Sequence, residues 1–167
     1  LNVAPGAPAA SSTRLPKAHD GKPLRGTVGS GDDAGCELIV STADKVGNIC
    51  VQGGAAVLAT CELEEIEVAV NDRGDGTYQV VWKSNKSGTF QSKISIGGEN
   101  VKGSPVHIQL VSKTPELSKS DLFGPGLREA VAGKVNTFHI CFVDLYGNHA
   151  IPGDEFQFGL AMLKDKE

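Results

Sequence analysis

The stretch Ile66–Trp82, which reads IEVAVNDRGDGTYQVVW, contains two runs of alternating apolar residues separated by a dense turn signal. Side chains of a β-strand point alternately to opposite faces, so each run predicts a strand with one buried face. Between the runs, Asn71–Gly76 is rich in Gly, Asn and Asp, which tolerate the positive φ of tight hairpins. The stretch therefore predicts a β-hairpin with Tyr78, Val80 and Trp82 on its buried side.

Further strands are predicted on both sides of this hairpin, at the short spacing that an all-β domain requires. A first short strand is expected between Lys17 and Gly31. The other β-branched or alternating runs are Cys36–Thr42, Ala55–Cys61, Gly88–Ile96 and Val106–Val111. Half-buried alternation predicts antiparallel sheets that face each other across one core. We therefore expect an antiparallel β-sandwich of about seven strands. Its central residues are predicted to be Tyr78, Trp82, Phe90 and Ile94.

The sequence also repeats itself, with the same phase, about one domain length later. Asp44-Lys45-Val46-Gly47-Asn48 recurs as Asp144-Leu145-Tyr146-Gly147-Asn148, and Gly26 is matched by Gly126. Self-similarity at a fixed period indicates a duplicated structural unit, so we expect tandem domains. In each copy the Asn side chain, Asn48 or Asn148, is expected to close the turn by bonding local backbone.

The repeat suggests a domain organisation for the whole chain. Residues 1–12 contain almost no bulky apolar side chain and are expected to be a flexible linker or tail. Residues 13–112 are expected to form one complete domain, followed by a hinge at 113–119. Residues 120–167, including a strand with Phe156 and Phe158, would form the N-terminal half of a second, incomplete domain, because a sandwich needs about 100 residues.

Composition excludes several classes of function. The formal net charge is −4 with both signs interspersed, so no basic stripe favours nucleic acid. No apolar run approaches the length of a membrane span, so membrane insertion is not expected. The sequence has no C-x-x-C pair, no metal-ligand spacing around its histidines and no nucleophile–base motif. We therefore expect no catalytic residues, no metal, no cofactor and no enzymatic activity. The acidic residues Glu62, Glu64, Glu65 and Glu67 are expected to form a solvated corner.

Several motifs together resemble the filamin-type immunoglobulin-like repeat (filamin/ABP280 repeat family). The resemblance lies in Asp75-Gly76-Thr77-Tyr78-x-Val80-x-Trp82, followed in order by Ser87-Gly88-Thr89-Phe90 and Gly103-Ser104-Pro105-Val106. The later copy supplies the family's opening, Gly124-Pro125-Gly126-Leu127, before its D-x-x-G-N turn. The resemblance covers one full repeat and the first half of a second. Val106 departs from the family, which has an aromatic there, and the first repeat lacks the G-P-G-L opening.

The resemblance implies a non-catalytic scaffold or protein-interaction module of a larger protein. In the family, an extended partner peptide adds to the edge of the third strand, beside the fourth. Small side chains on the third strand would let another backbone approach closely. The residues of this sequence that would form the partner-binding edge are Ala55, Ala56, Val57, Ala59, Cys61, Ile66 and Val68.

Three settings use such a module, and the resemblance leaves them open. One is an actin-crosslinking filamin of the cytoplasmic cytoskeleton, with homo-oligomerisation through the wider protein. Another is the substrate-recognition arm of a ubiquitin ligase. The third is a cell-surface adhesion protein with filamin-like repeats, as on plant and algal gametes. The cysteines do not recur at the repeat offset, which favours reduced thiols in an intracellular protein. They are Cys36, Cys50, Cys61 and Cys141.

Two short motifs matter if the protein is extracellular. Arg73-Gly74-Asp75 spells a tripeptide that adhesion receptors read, although the hairpin itself requires Gly and Asp at these positions. Asn85-Lys86-Ser87 is an N-glycosylation acceptor sequence on an expected loop. The turn requirement favours a structural origin for the Gly and the Asp of the first motif.

Overall fold

The structure is a computed structural model that describes residues 4–16, 22–129, 131–154, 157 and 159. The chain divides into two compact units, Leu1–Val111 and Ser112–Glu167. The predicted strand that contains Phe156 and Phe158 lies outside the described residues.

The first unit contains eight strands among its described residues. They are β1 (Leu24–Thr27), β2 (Cys36–Ser41), β3 (Val57–Cys61), β4 (Glu67–Asp72), β5 (Thr77–Lys83), β6 (Gly88–Ile96), β7 (Glu99–Asn100) and β8 (Val106–Val111). One sheet has the order β1-β8-β6-β3, with the short β7 also paired to β6, and the other has the order β2-β5-β4. The predicted all-β, immunoglobulin-like sandwich is confirmed. It differs from expectation in one pair, because β1 runs parallel to β8.

The core lies between the two sheets, and the alternation in the sequence predicted its residues correctly. Trp82 and Ile94 are fully buried, and Tyr78 and Phe90 are 2% and 7% exposed. Val80 on β5, and Ile108 and Leu110 on β8, are also buried. Burying large aromatic and aliphatic side chains of this kind supplies most of the favourable free energy of folding.

The turn after β2 is organised by the Asp44 carboxylate. Its Oδ1 accepts hydrogen bonds from the backbone N–H groups of Val46, Gly47 and Asn48, each at 2.9–3.0 Å. Its Oδ2 accepts the N–H of Gly6 and the side-chain amide of Asn48, both at 2.9 Å. Sequence reasoning assigned the turn-closing bonds to Asn48, but the aspartate accepts the backbone bonds and Asn48 supports the aspartate.

Residues 4–12, which belong to the segment predicted to be a flexible linker or tail, are hydrogen-bonded to the rest of the first unit. Gly6 donates to Asp44, and the N–H of Ala9 donates to the Ala43 carbonyl at 2.8 Å. A few residues later, the Thr13 hydroxyl accepts the N–H of Ala43 at 3.0 Å, and Ala10 is buried. Backbone hydrogen bonds, more than buried side chains, hold this segment in place. Its composition is therefore poor in apolar residues and resembles that of a linker.

The second unit has two described strands, β9 (Asp121–Phe123) and β10 (His139–Cys141), paired antiparallel, with a 3₁₀ helix at Pro125–Leu127. Strand β10 is only three residues long. Asp144 repeats the role of Asp44: its Oδ1 accepts the N–H groups of Tyr146 and Asn148 at 2.9 Å, and its Oδ2 accepts the N–H of Lys113 at 3.1 Å.

The segment predicted as a hinge, 113–119, is also bonded within the second unit. The N–H of Glu116 donates to the Val143 carbonyl at 2.8 Å, as Ala9 does to Ala43 in the first unit. The Ser120 hydroxyl accepts the N–H of Val143 at 3.2 Å, as Thr13 does for Ala43. The two units therefore begin with the same set of hydrogen bonds.

Substitution of Trp82 tests the core. Trp82→Ala is expected to lower the free energy of unfolding by about 3–5 kcal/mol, because it removes a fully buried aromatic side chain. Trp82→Phe should cost clearly less, since the indole Nε1–H has no hydrogen-bond acceptor among the described residues and none is lost. Urea unfolding of both variants measures the difference. An unchanged midpoint for Trp82→Ala would contradict the core assignment.

The acid sensitivity of the first unit is expected to depend on Asp44. The hydrogen bonds that this carboxylate accepts, first from Gly6 and then from Asn48, hold its pKa far below its ordinary value. Because an unfolded Asp has a pKa of about 3.9, the contribution of Asp44 to stability is complete above that pH and is lost as the pH falls below it. Asp44→Asn should therefore lower the free energy of unfolding at about pH 7. Between about pH 7 and pH 3 the variant should lose less of this free energy than the wild type does.

Unfolding free energies at the two pH values measure this effect. Asp32→Asn, at an exposed position, is the matched control and should leave the pH dependence close to that of the wild type. An equal pH dependence in Asp44→Asn and the wild type would contradict the role given to Asp44.

Candidate functional site

Among the described residues, strand β3 is the last strand of its sheet and pairs on one side only, with β6. The Ala56 carbonyl accepts the N–H of Gly97, which sets the alternation of the antiparallel ladder. The peptide groups of Leu58 and Thr60 consequently face β6. Those of Ala59 and Cys61 face away from the sheet, where a further strand would pair.

The side chains at this end of the sandwich are incompletely covered. On β3, Val57 is buried, but Ala59 and Cys61 on the same inward face are half-buried. Across the core, the inward side chains of β4, Val68 and Val70, are also half-buried. The inward side chains of the central strand β5 are fully buried. The core is therefore open between the edges of β3 and β4.

We call this region the β3 edge and define it as Ala59, Cys61, Ile66, Val68 and Val70. Ile66, in the connection between β3 and β4, is half-buried. The region offers two things to a partner: unpaired backbone groups along β3 and a partly exposed apolar surface beside them. Leu58, on the outer face of β3, adds a large apolar side chain that is 58% exposed.

The start of β3 is held in place by the hairpin between β4 and β5. The Asp72 carboxylate accepts the N–H of Gly54 at 2.6 Å and that of Gly74 at 2.8 Å, and these bonds lower its pKa. The Tyr78 hydroxyl accepts the N–H of Ala55 at 2.7 Å. Burial raises the pKa of Tyr78, so its hydroxyl stays protonated. A side chain at Gly53 would clash with the Asp72 carboxylate.

The far end of β3 is acidic and exposed. Glu65 forms an ion pair with Lys86, which lowers the pKa of Glu65, and Glu62 lies 3.4 Å from the Lys93 ammonium. Exposed pairs of this kind contribute little to stability. The four glutamates predicted to form a solvated corner, Glu62, Glu64, Glu65 and Glu67, are all exposed.

The residues predicted from sequence fall into two groups. Ala59, Cys61, Ile66 and Val68 lie together at the β3 edge. Ala55 and Ala56 lie just before β3, and Val57 is buried, with its N–H bonded to the Ala55 carbonyl. Sequence reasoning missed Val70, although its place in the alternating run of β4 was a signal. It also missed Leu58, although alternation with Val57 and Ala59 places Leu58 on the outer face of β3.

Other classes of site find no support in the part of the chain that the structure describes. No group of three or more His, Cys, Asp or Glu residues in that part could hold a metal ion. No helix within it is long and apolar enough to cross a membrane.

Residues 16–107 match the family described as Filamin/ABP280 repeat, which is more than half of the chain. The chain belongs to the filamin repeat family. As a filamin repeat, the first unit is a protein-interaction module. The match runs from before β1 to the first residues of β8 and includes the β3 edge.

Relatives by sequence include tripartite motif-containing protein 2 of Homo sapiens and of Mus musculus. Each is 28% identical over 97 residues, which are 53% of this chain and 13% of the relative. The chain therefore spans about an eighth of the length of these relatives.

Solved structures with the same fold include the Lin-41 filamin domain, at 16% identity and a TM-score of 0.50 over 64% of this chain and 98% of that one. Invasin, a bacterial integrin-binding protein, has 19% identity and a TM-score of 0.63 over 91% of this chain and 29% of that one. The Escherichia coli adhesin FdeC has 16% identity and a TM-score of 0.61 over 87% and 44%. These similarities show the immunoglobulin-like fold. Cytoplasmic and cell-surface settings both stay open.

Proposed function

We propose that this chain is a non-catalytic scaffold and interaction module of a larger filamin-repeat protein, and that it binds an extended peptide by strand addition at the β3 edge. The observation that carries the proposal is the unpaired backbone of Ala59 and Cys61 beside half-buried side chains. An unprotected sheet edge is a template for pairing with another chain, and its backbone bonds supply affinity.

The open core supplies specificity. A peptide that pairs with β3 places alternate side chains inward, over Val68 and Val70, where they complete the cover of the core. The small side chain of Ala59 leaves room for them. The other side chains of the peptide lie beside Leu58 and Thr60 on the outer face. Such a peptide therefore has apolar residues at every second position.

The similarity to tripartite motif-containing protein 2 supports the second of the three settings predicted from sequence, the ubiquitin-ligase one. The similarity amounts to 28% identity over 97 residues. We propose this setting, the substrate-recognition arm of a filamin-repeat ubiquitin ligase, ahead of the actin-crosslinking one. In either case the repeat contributes binding and spacing, not chemistry.

We also propose that the second unit is the first half of a second filamin repeat. The support is the shared set of hydrogen bonds around Asp44 and Asp144, with Gly6 matched by Lys113 and Ala9 by Glu116. Several apolar side chains of the second unit are exposed, unlike the core side chains of the first unit. Leu122 and Phe123 on β9 are 52% and 53% exposed.

Limited proteolysis tests this proposal. Half of a sandwich buries too little surface to be stable alone, so residues 118–167 should be cleaved rapidly while the first unit stays intact. Mass spectrometry of the fragments locates the cuts. Uniform protection of these residues in hydrogen exchange would contradict the proposal.

Substitutions at the β3 edge test strand addition. The probe is a set of peptides selected from a displayed random library for binding to the chain. Ala59→Lys fills the open space between β3 and β4 and should abolish binding of edge-directed peptides. Thr60→Lys, the matched control, places the same charge on the outer face of the same strand and should retain most of the affinity. Isothermal titration measures both.

Amide chemical shifts of the labelled chain locate the bound peptide. Changes are expected at Leu58–Cys61 and Ile66–Val70. Equal binding by Ala59→Lys and the wild type, with an intact fold, would contradict strand addition at this edge. Changes confined to the Asn71–Gly76 turn would do the same and would direct attention to the hairpin.

A further inference from the structure

The hairpin between β4 and β5 carries the sequence Arg73-Gly74-Asp75 at its tip, and the proposed function does not use it. All three residues are exposed. They lie beyond Asp72, where the pairing of β4 with β5 ends. The tip contacts the loop before β3, since the N–H of Gly53 donates to the Gly74 carbonyl at 3.2 Å. It takes no part in the β3 edge.

The backbone of the tip is fixed from three sides. The N–H of Gly74 donates to the Asp72 carboxylate at 2.8 Å, and the N–H of Arg73 donates to the Thr77 carbonyl at 3.1 Å. The bond from Gly53 is the third. A backbone that is already ordered loses little conformational entropy when it binds a partner. The tripeptide is therefore presented in one conformation, on a short and rigid turn.

The turn explains two of the three residues. Gly74 has a φ of +78°, which favours glycine. Asp75 Oδ1 accepts both the N–H and the hydroxyl of Thr77, at 2.9 and 2.6 Å. The Arg73 guanidinium makes no hydrogen bond to the described residues; its backbone N–H bonds to Thr77, and its charge acts on Asp75 only at a distance. The arginine is the part of the motif that the fold does not require.

We propose that, in the cell-surface setting predicted from sequence, Arg73-Gly74-Asp75 is a docking site for an adhesion receptor that reads this tripeptide. Such a receptor meets the Asp75 carboxylate with a bound divalent cation and the Arg73 guanidinium with a carboxylate. Both bonds of Thr77 go to Oδ1, so Oδ2 is the oxygen that would coordinate the cation. Carboxylate oxygen is a preferred ligand of Mg²⁺ and Mn²⁺. Guanidinium pairs with carboxylate through two parallel hydrogen bonds.

The charge state of the tip suits this chemistry. The bonds from the Thr77 side chain and backbone lower the pKa of Asp75, and the positive charge of Arg73 lowers it further. Asp75 is therefore ionised at neutral pH, as cation coordination requires.

Binding of the full chain to the soluble ectodomain of an integrin that recognises RGD peptides tests the proposal, with surface plasmon resonance in buffer that contains Mn²⁺. Wild-type chain should bind. A linear RGD peptide should compete, and EDTA should abolish binding. Arg73→Ala should weaken binding by about tenfold or more, since it removes one partner of a charge-assisted pair.

The control is Arg25→Ala, which removes the same charge from an exposed position on β1 and should leave binding unchanged. Thermal melts of both variants establish that the fold is intact. Asp75→Glu, which displaces the carboxylate, should also reduce binding, but it disturbs the bonds to Thr77 and is secondary. Absence of wild-type binding would overturn the proposal, as would binding in EDTA or equal binding by Arg73→Ala and Arg25→Ala. None of these results bears on the β3 edge, which Ala59→Lys tests separately.

Discussion

The Asp44 carboxylate accepts hydrogen bonds from residues on both sides of it in the chain, and the arrangement of the first unit depends on this. Its bonds to Val46, Gly47 and Asn48 end β2 in a fixed turn, and its bond to Gly6 holds the segment that precedes β1. One carboxylate that accepts hydrogen bonds from four backbone N–H groups fixes the conformation of both the turn and the segment before β1. The recurrence of these bonds around Asp144 shows that the second unit begins in the same way.

From that turn the chain crosses to the other sheet and enters β3, whose position at the end of the sheet has functional consequences. Proteins often protect such edges with Lys, Pro or a bulge. Strand β3 carries none of these: it reads Val-Leu-Ala-Thr-Cys. The loop before it is held by Asp72 and Tyr78, so the edge is presented in a defined conformation. An unprotected edge beside an open core promotes aggregation, which is a disadvantage for a protein that does not use the edge for binding.

Periodicity in the sequence predicted most of the sandwich, and it failed where backbone bonds rather than side-chain burial determine the structure. Tyr78, Trp82, Phe90 and Ile94 alternate with polar residues, so their burial could be predicted. Residues 4–12 have no periodic apolar pattern, and the carboxylate that holds them is 38 residues away from Gly6. The parallel pairing of β1 with β8 is set by tertiary packing. At the candidate site, the family resemblance directed attention to β3, whereas the hydrogen bond from the Ala55 N–H to the Tyr78 hydroxyl could be found only in the structure.

Trp82 gives the molecule an optical property of its own. It is the single tryptophan of the chain, and it is fully buried within the first unit. Indole emission is sensitive to the polarity of its surroundings, so the emission maximum should shift to longer wavelength when the sandwich opens and stay constant when only the second unit loses structure. The two units can therefore be followed separately in the intact chain, by fluorescence for the first and by circular dichroism for both.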